Sequence, residues 1–172
     1  LPSHFEGLQP FGMASSGPLS AALQYSYPHR SWLVSGTDRQ RVRIKPEDTI
    51  HLMVQVWDRE SGTPITRATP QVTVEGSDGL VADRLFWPML SQQMGFHYGD
   101  NIQLDGEGTY SITLSVPPTA DLALGRFEDV LADHHRFEFT FEWEEGLLED
   151  IPINMVDDDR KGTTGALSPM MM

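Results

Sequence analysis

Cysteine is absent from the 172 residues. That excludes disulfides, thiolate metal sites and cysteine nucleophiles. Any soft-metal chemistry in the chain must use imidazole nitrogen or thioether sulfur. Lysine is nearly absent as well: Lys45 and Lys161 stand against ten arginines, and twenty-five acidic residues bring the net charge to -13. A chain of that sign lacks the basic footprint that nucleic acid requires. It is equally unsuited to an anionic membrane surface. An acidic, lysine-poor balance is expected of a protein working in high salt, where charge preserves solubility and its self-repulsion is screened. No apolar run approaches the roughly 20 residues needed to span a bilayer. The chain opens on Leu1, not methionine, so a leader or membrane anchor removed from its front is expected. No internal repeat of fixed period is visible.

Alternation dominates what is present. Ile50, Leu52, Val54 and Val56 share one face of a strand predicted over Thr49–Asp58, and His51, Met53, Gln55 and Trp57 share the other. Thr109–Val116 and Arg136–Glu142 alternate as cleanly. Shorter strands are expected from Ala21 to Tyr27, at Trp32–Val34, and over Gln71–Glu75 with Leu80–Trp87 as its hairpin partner. Thr119–Ala132 has room for a helical turn. About seven short strands separated by turn signals predict an all-β fold, an Ig-like antiparallel β-sandwich. Residues 1–18, rich in proline and glycine, read as an extended N-terminal arm. The sandwich is expected over residues 19–150 and a flexible acidic tail over 151–172.

Catalytic signatures are weak. Ser91 has no triad context, and Gly106–Gly108 is a hairpin turn with no helix after it to cradle phosphate. Acidic runs such as Asp157–Asp159 lack calcium-loop spacing and read as solvated charge. A non-catalytic protein is expected. The residues that stand out are His51 and Met53 on one strand face, and Met89 and His97 in a stretch read as a long loop. Imidazole and thioether are ligands for soft or borderline transition metals. A solvated or core-packed histidine is the ordinary alternative for each. Asp100-Asn101 read as turn formers.

His97-Tyr98-Gly99-Asp100-Asn101, followed by Gly106-Glu107-Gly108-Thr109-Tyr110, an alternating strand and Pro117-Pro118, resembles the bacterial periplasmic iron-transport protein family. Ile50-His51-Leu52, Trp87-Pro88-Met89, Gly125-Arg126 and Phe137–Phe141 add to the likeness, which runs from about Thr49 to Trp143. Tyr27-Pro28-His29-Arg30 and the run from Trp87 to Met94 resemble a haloarchaeal, iron transporter-like branch. The resemblance implies an Ig-like sandwich, a homodimer, copper or iron as the bound metal, and a membrane metal permease as partner. Residue by residue it implies His51, Met89 and His97 as ligands. Met53 stands where the family has a carboxylate, which softens the site and puts copper ahead of iron. Phe127 stands where the family has a histidine, and His134 is the candidate to replace it, ahead of His135. The expected function is a metal-binding protein at the cell surface that supports uptake by a permease. The alternatives are an Ig-like interaction module without metal and a copper enzyme oxidising metal ions.

Overall fold

The computed structural model describes residues 9–91, 95–119 and 123–149. Eleven strands run β1 (Gln9–Ser16), β2 (Leu19–Ser26), β3 (Ser31–Ser35), β4 (Asp38–Val42), β5 (Ile50–Asp58), β6 (Gln71–Gly76), β7 (Gly79–Leu85), β8 (Trp87–Ser91), β9 (Gly95–Ile102), β10 (Gly108–Val116) and β11 (His135–Trp143). One helical turn, α1 (Phe127–Val130), precedes β11, and a 3-10 turn at Glu145–Leu148 follows it. The strands form a five-stranded sheet, β1-β2-β5-β9-β8, and a four-stranded sheet, β11-β10-β6-β7. All their pairings are antiparallel. The two sheets make the expected β-sandwich.

The core lies between them and follows the predicted alternation. Ile50, Leu52, Val54 and Val56 face Ile112, Leu114, Phe137 and Phe139 within one buried cluster. The hairpin expected between Gln71–Glu75 and the following strand forms as β6–β7. The helical turn expected within 119–132 is α1.

Several elements differ from expectation. The lead-in read over residues 1–18 contains an edge strand: β1 pairs with β2 through a bulge at Pro10–Gly12. Phe11 stacks on Tyr25 and on Phe141 from the opposite sheet, so β1 closes one side of the sandwich. Glycine and proline concealed this strand because its order comes from tertiary contacts, not from propensity. The stretch holding His97 is no loop but the β8–β9 hairpin, and Asp100-Asn101 lie inside β9. Finally, β3 and β4 pair with each other in a separate two-stranded sheet. The tail expected over 151–172 lies outside the described residues.

Candidate metal centre

The decisive property of β5 is that both its faces are buried. Every residue from Ile50 to Asp58 is buried, yet one face carries His51 and Gln55. A strand covered on both sides ordinarily reads as a continuous apolar run. Here two polar side chains sit out of water, where unpaired polar groups cost free energy. Met53 is fully buried and Trp57 is 7% exposed, so neither offers open apolar surface for a second copy.

Pairing register brings the predicted residues onto this one face. His51 lies opposite Ser26 on β2 and Asn101 on β9. Met53 lies opposite Gln24 and Gly99. His97, two residues before Gly99, lies opposite Met89 on β8. With a side-chain period of two, His51, Met53, His97 and Met89 all project from the face turned away from the core. The rings of His51 and His97 are 6.3 Å apart, edge to face. Glycine at position 99 makes room between them. A Cβ there would stand 2.7 Å from His51 Nε2 and 3.1 Å from the Leu52 carbonyl oxygen.

Sequence reading missed two further participants. His29, in the link between β2 and β3, places its ring 3.7 Å from that of His51. Asn101 joins the two: its Oδ1 accepts from His51 Nδ1 at 2.9 Å and from the His29 backbone N–H at 3.2 Å, and its Nδ2 donates to the His29 carbonyl at 3.0 Å. That pair of backbone contacts fixes which end of the amide is oxygen. The parity of 97, 99 and 101 was the available signal for Asn101; no periodicity flags His29.

These contacts also set the tautomers. Nδ1 of His51 meets an amide oxygen, Nδ1 of His29 meets the Tyr27 carbonyl at 3.1 Å, and Nδ1 of His97 meets the Gly95 carbonyl at 3.4 Å. Oxygen acceptors demand a donating Nδ1–H, which leaves each neutral ring with its lone pair on Nε2. The Nε2 atoms of His51 and His97 are buried and have no hydrogen-bond partner among the described residues; Gln24 Nε2 and both amide atoms of Gln55 share that state. Burial is also the main cause holding all three imidazoles neutral. It lowers His29, takes His97 to about 4, and, with His29 adding repulsion, puts His51 well below the ordinary histidine value.

Neutral imidazoles oriented through Nδ1, with bare Nε2 atoms on a sheet face that also bears Gly99 and two methionines, fit a soft metal ion. Among the described residues no three or more His, Cys, Asp or Glu side chains gather into a ready metal cage, so the donor set rests on a histidine pair and methionines. Neither proposed replacement for the donor missing at Phe127 joins it. His134 bonds Ser115 Oγ at 2.8 Å on the other sheet. His135 is buried, with its ring nitrogens on the Ser16 and Val130 carbonyls. Phe127 itself packs against the core. Its neighbour Arg126 forms an ion pair with Asp58, at the end of β5 remote from His51. Among the described residues no helix is long and apolar enough to cross a membrane.

Comparison with solved structures finds the same architecture in FetP of uropathogenic E. coli strain F11. The as-isolated protein, expressed in the periplasm of E. coli BL21(DE3), is 20% identical, with a TM-score of 0.58 over 78% of this chain and 95% of that one. A copper-bound glutamate-to-glutamine variant of FetP is 21% identical, with a TM-score of 0.52 over 78% and 94% of the two chains. At these identities the likeness establishes the fold. No curated protein matches the sequence. The profile of the Fe2+ transport protein family matches residues 43–145, more than half of the chain and the whole span from β5 to β11. The chain belongs to the Fe2+ transport protein family.

Proposed function

We propose that the protein captures copper, with iron the second choice, outside the cytoplasm and supports its uptake through a membrane permease. The observation that carries this reading is the pair of buried, unpartnered Nε2 atoms on His51 and His97. A buried polar atom without a partner in a native fold calls for an explanation, a bound ion or water among them, and these two lie on the face that also bears Met53 and Met89. His51 and His97 supply nitrogen, Met89 and Met53 supply thioether sulfur, and Asn101 holds the His51 ring. With no carboxylate in the set, Cu(I) is the preferred cargo. The role is binding and presentation, not catalysis. Family membership and a copper-bound structural neighbour support it. The location at the cell surface and a homodimer belong to the same proposal. Edge strand β8 favours the dimer, because it leaves Trp87 and Leu90 exposed beside Met89.

Copper titration of the full chain tests the site. His51→Ala and His97→Ala are each expected to weaken Cu(I) binding at least tenfold, measured by competition with a chelator of known affinity. Unaltered affinity in both variants removes the site, and absence of binding by the parent leaves an interaction module. Sedimentation of the same preparation in high salt checks the dimer; a monomer at micromolar concentration refutes it.

A further inference from the structure

Two glutamines on the same sheet face have no place in the donor set. Gln24 and Gln55 are each 1% exposed. Gln24 lies opposite Met53, and Gln55 lies opposite Ala22. Gln55 therefore follows Met53 by two residues along β5 and stands diagonally from Gln24 across the β2–β5 pair. Diagonal neighbours of this kind are about 7–8 Å apart, within reach of long side chains. The β5–β9 register runs as far as Val54 and Tyr98, and one further step of it sets Gln55 against His97. Gln24 Nε2 and both amide atoms of Gln55 are buried with no hydrogen-bond partner among the described residues. Buried amides left unpaired are costly and call for an explanation. No hydrogen bond holds the Gln55 amide in either orientation.

Charge supplies the second observation. The five strands of this sheet contain two carboxylates, Asp58 and Asp100. Asp100 lies opposite core-facing Leu52, and Asp58 follows Val56 by two residues. Both carboxylates thus have the parity of the core face, and both are ion-paired, with Arg126 and Arg84 respectively. The face bearing His51 and His97 receives no charge from its own strands. Its imidazoles are neutral and its sulfur donors are thioethers. A metal cation seated there brings a positive charge into a buried place with nothing on the strands to balance it, and an uncompensated buried charge is costly. Glutamine amides carry N–H donors, the groups that receive an anion without a charge of their own.

We propose that Gln24 and Gln55 form a halide site, so that the metal is held together with its counter-ion as a neutral pair. The inference rests on the copper reading of the His51–His97 face and adds the anion to it. One monovalent ion cancels the charge of Cu(I). Chloride and bromide accept hydrogen bonds from any direction and are themselves ligands of Cu(I). Water would satisfy the amides but would leave the charge in place.

X-ray absorption at the copper and bromine edges tests the inference, on the full chain loaded anaerobically with Cu(I) in bromide. One bromide per copper is expected in the parent, and none in a Gln24→Leu/Gln55→Leu variant that still takes up the metal. Competition titration gives an independent readout. Halides also complex Cu(I) in solution, so the parent is compared with the double variant in the same buffer. The parent is expected to bind at least tenfold more tightly than the variant in chloride, and equally in perchlorate of the same ionic strength. Gln55→Glu places the balancing charge on the chain and is expected to bind Cu(I) without preference for chloride. Leucine leaves no unpaired amide, so the metal-free double variant should melt no lower than the parent; a lower midpoint would mean that the amides are already partnered in the fold and overturns the proposal. Copper without bromide in the parent, or an advantage over the double variant that is the same in both salts, overturns the halide site and leaves the copper site standing. Failure of the parent to bind copper in either salt overturns both.

Discussion

His51 is held from one edge and bare at the other. Its Nδ1 side is fixed by Asn101, and its Nε2 side opens onto the space that Gly99 leaves by lacking a side chain. Gly99→Ala is therefore a steric probe of the site. A methyl carbon 2.7 Å from Nε2 cannot share that space with a metal ion. Copper affinity is expected to fall at least tenfold, measured by competition titration, with a Tm loss of a few degrees from the contact with the Leu52 carbonyl. Affinity equal to the parent's would place the binding locus away from Gly99. Protonation offers a second probe. Burial, the largest cause, takes His97 to about 4 from an ordinary 6.5 and moves His51 and His29 the same way. The unfolded chain thus binds more protons than the native one between pH 6.5 and 4, so stability rises with pH across that window. The contribution is complete above 6.5 and is lost as pH falls toward 4. For His97 alone it amounts to roughly 3 kcal/mol. Urea melts of the metal-free protein at pH 7.5, 6 and 4.5 check it, and a His97→Gln variant should flatten the slope. That His51 and Met53 share a face was legible from parity, because strands sort side chains strictly by face; Met89 and His97 were singled out by residue type and motif in a stretch read as a loop, and only the pairing register puts them on that face. His29 was not legible, because it lies in a connection where no period operates and only the folded β2–β3 link brings it to His51.

Among elements, β5, β10 and β11 could be read directly. Each alternates over eight or nine residues, and the structure buries the predicted apolar set of each. Strand β4 could not. Asp38-Arg39-Gln40-Arg41-Val42 has no buried face to write a pattern, and its order comes from β3 across the Gly36 turn. Strands β8 and β9 were concealed by Gly95, Gly99, Asp100 and Asn101, turn formers by local chemistry. Gly99 is present for space beside His51, and Asn101 for its amide. Local preference fails here at the candidate site, as is expected where function and propensity compete. Strand β1 supplies the test at this scale. Phe11 is sandwiched between Tyr25 and Phe141 at ring distances of 4.1 and 3.8 Å. Phe11→Ala is expected to cost roughly 3 kcal/mol, the low end for such truncations. Denaturant melts measure it; a loss under half that size would mean that β1 contributes little to closing the sandwich.

For the molecule as a whole, the charge of -13 predicts a response to salt. Self-repulsion among twenty-five carboxylates opposes the compact state, and the Debye length shortens from about 10 Å at 0.1 M to about 3 Å at 1 M. The thermal midpoint is expected to rise by several degrees between 0.1 and 2 M KCl; a flat or falling midpoint would reject the high-salt reading of the composition. The fold at this scale was also legible, since turn signals and alternation suffice for a sandwich. Strand order was not, because it depends on contacts between segments far apart in the chain. The two ends of the described fold show how far. Ser16 on β1 accepts from His135 on β11 across 119 residues, and the second of Phe11's two stacking contacts waits for Phe141. Strand β1 thus pairs with its neighbour β2 at once but is among the last to gain its contact across the sandwich. All-β chains dominated by such distant pairings fold in milliseconds to seconds. A chain emerging N-terminus first, from a ribosome or a translocation pore, must carry β1 unpaired against the second sheet until nearly the whole sequence has followed. The same closure that completes the sandwich therefore keeps the nascent chain open, in the state in which a polypeptide can be threaded across a membrane before it folds on the far side.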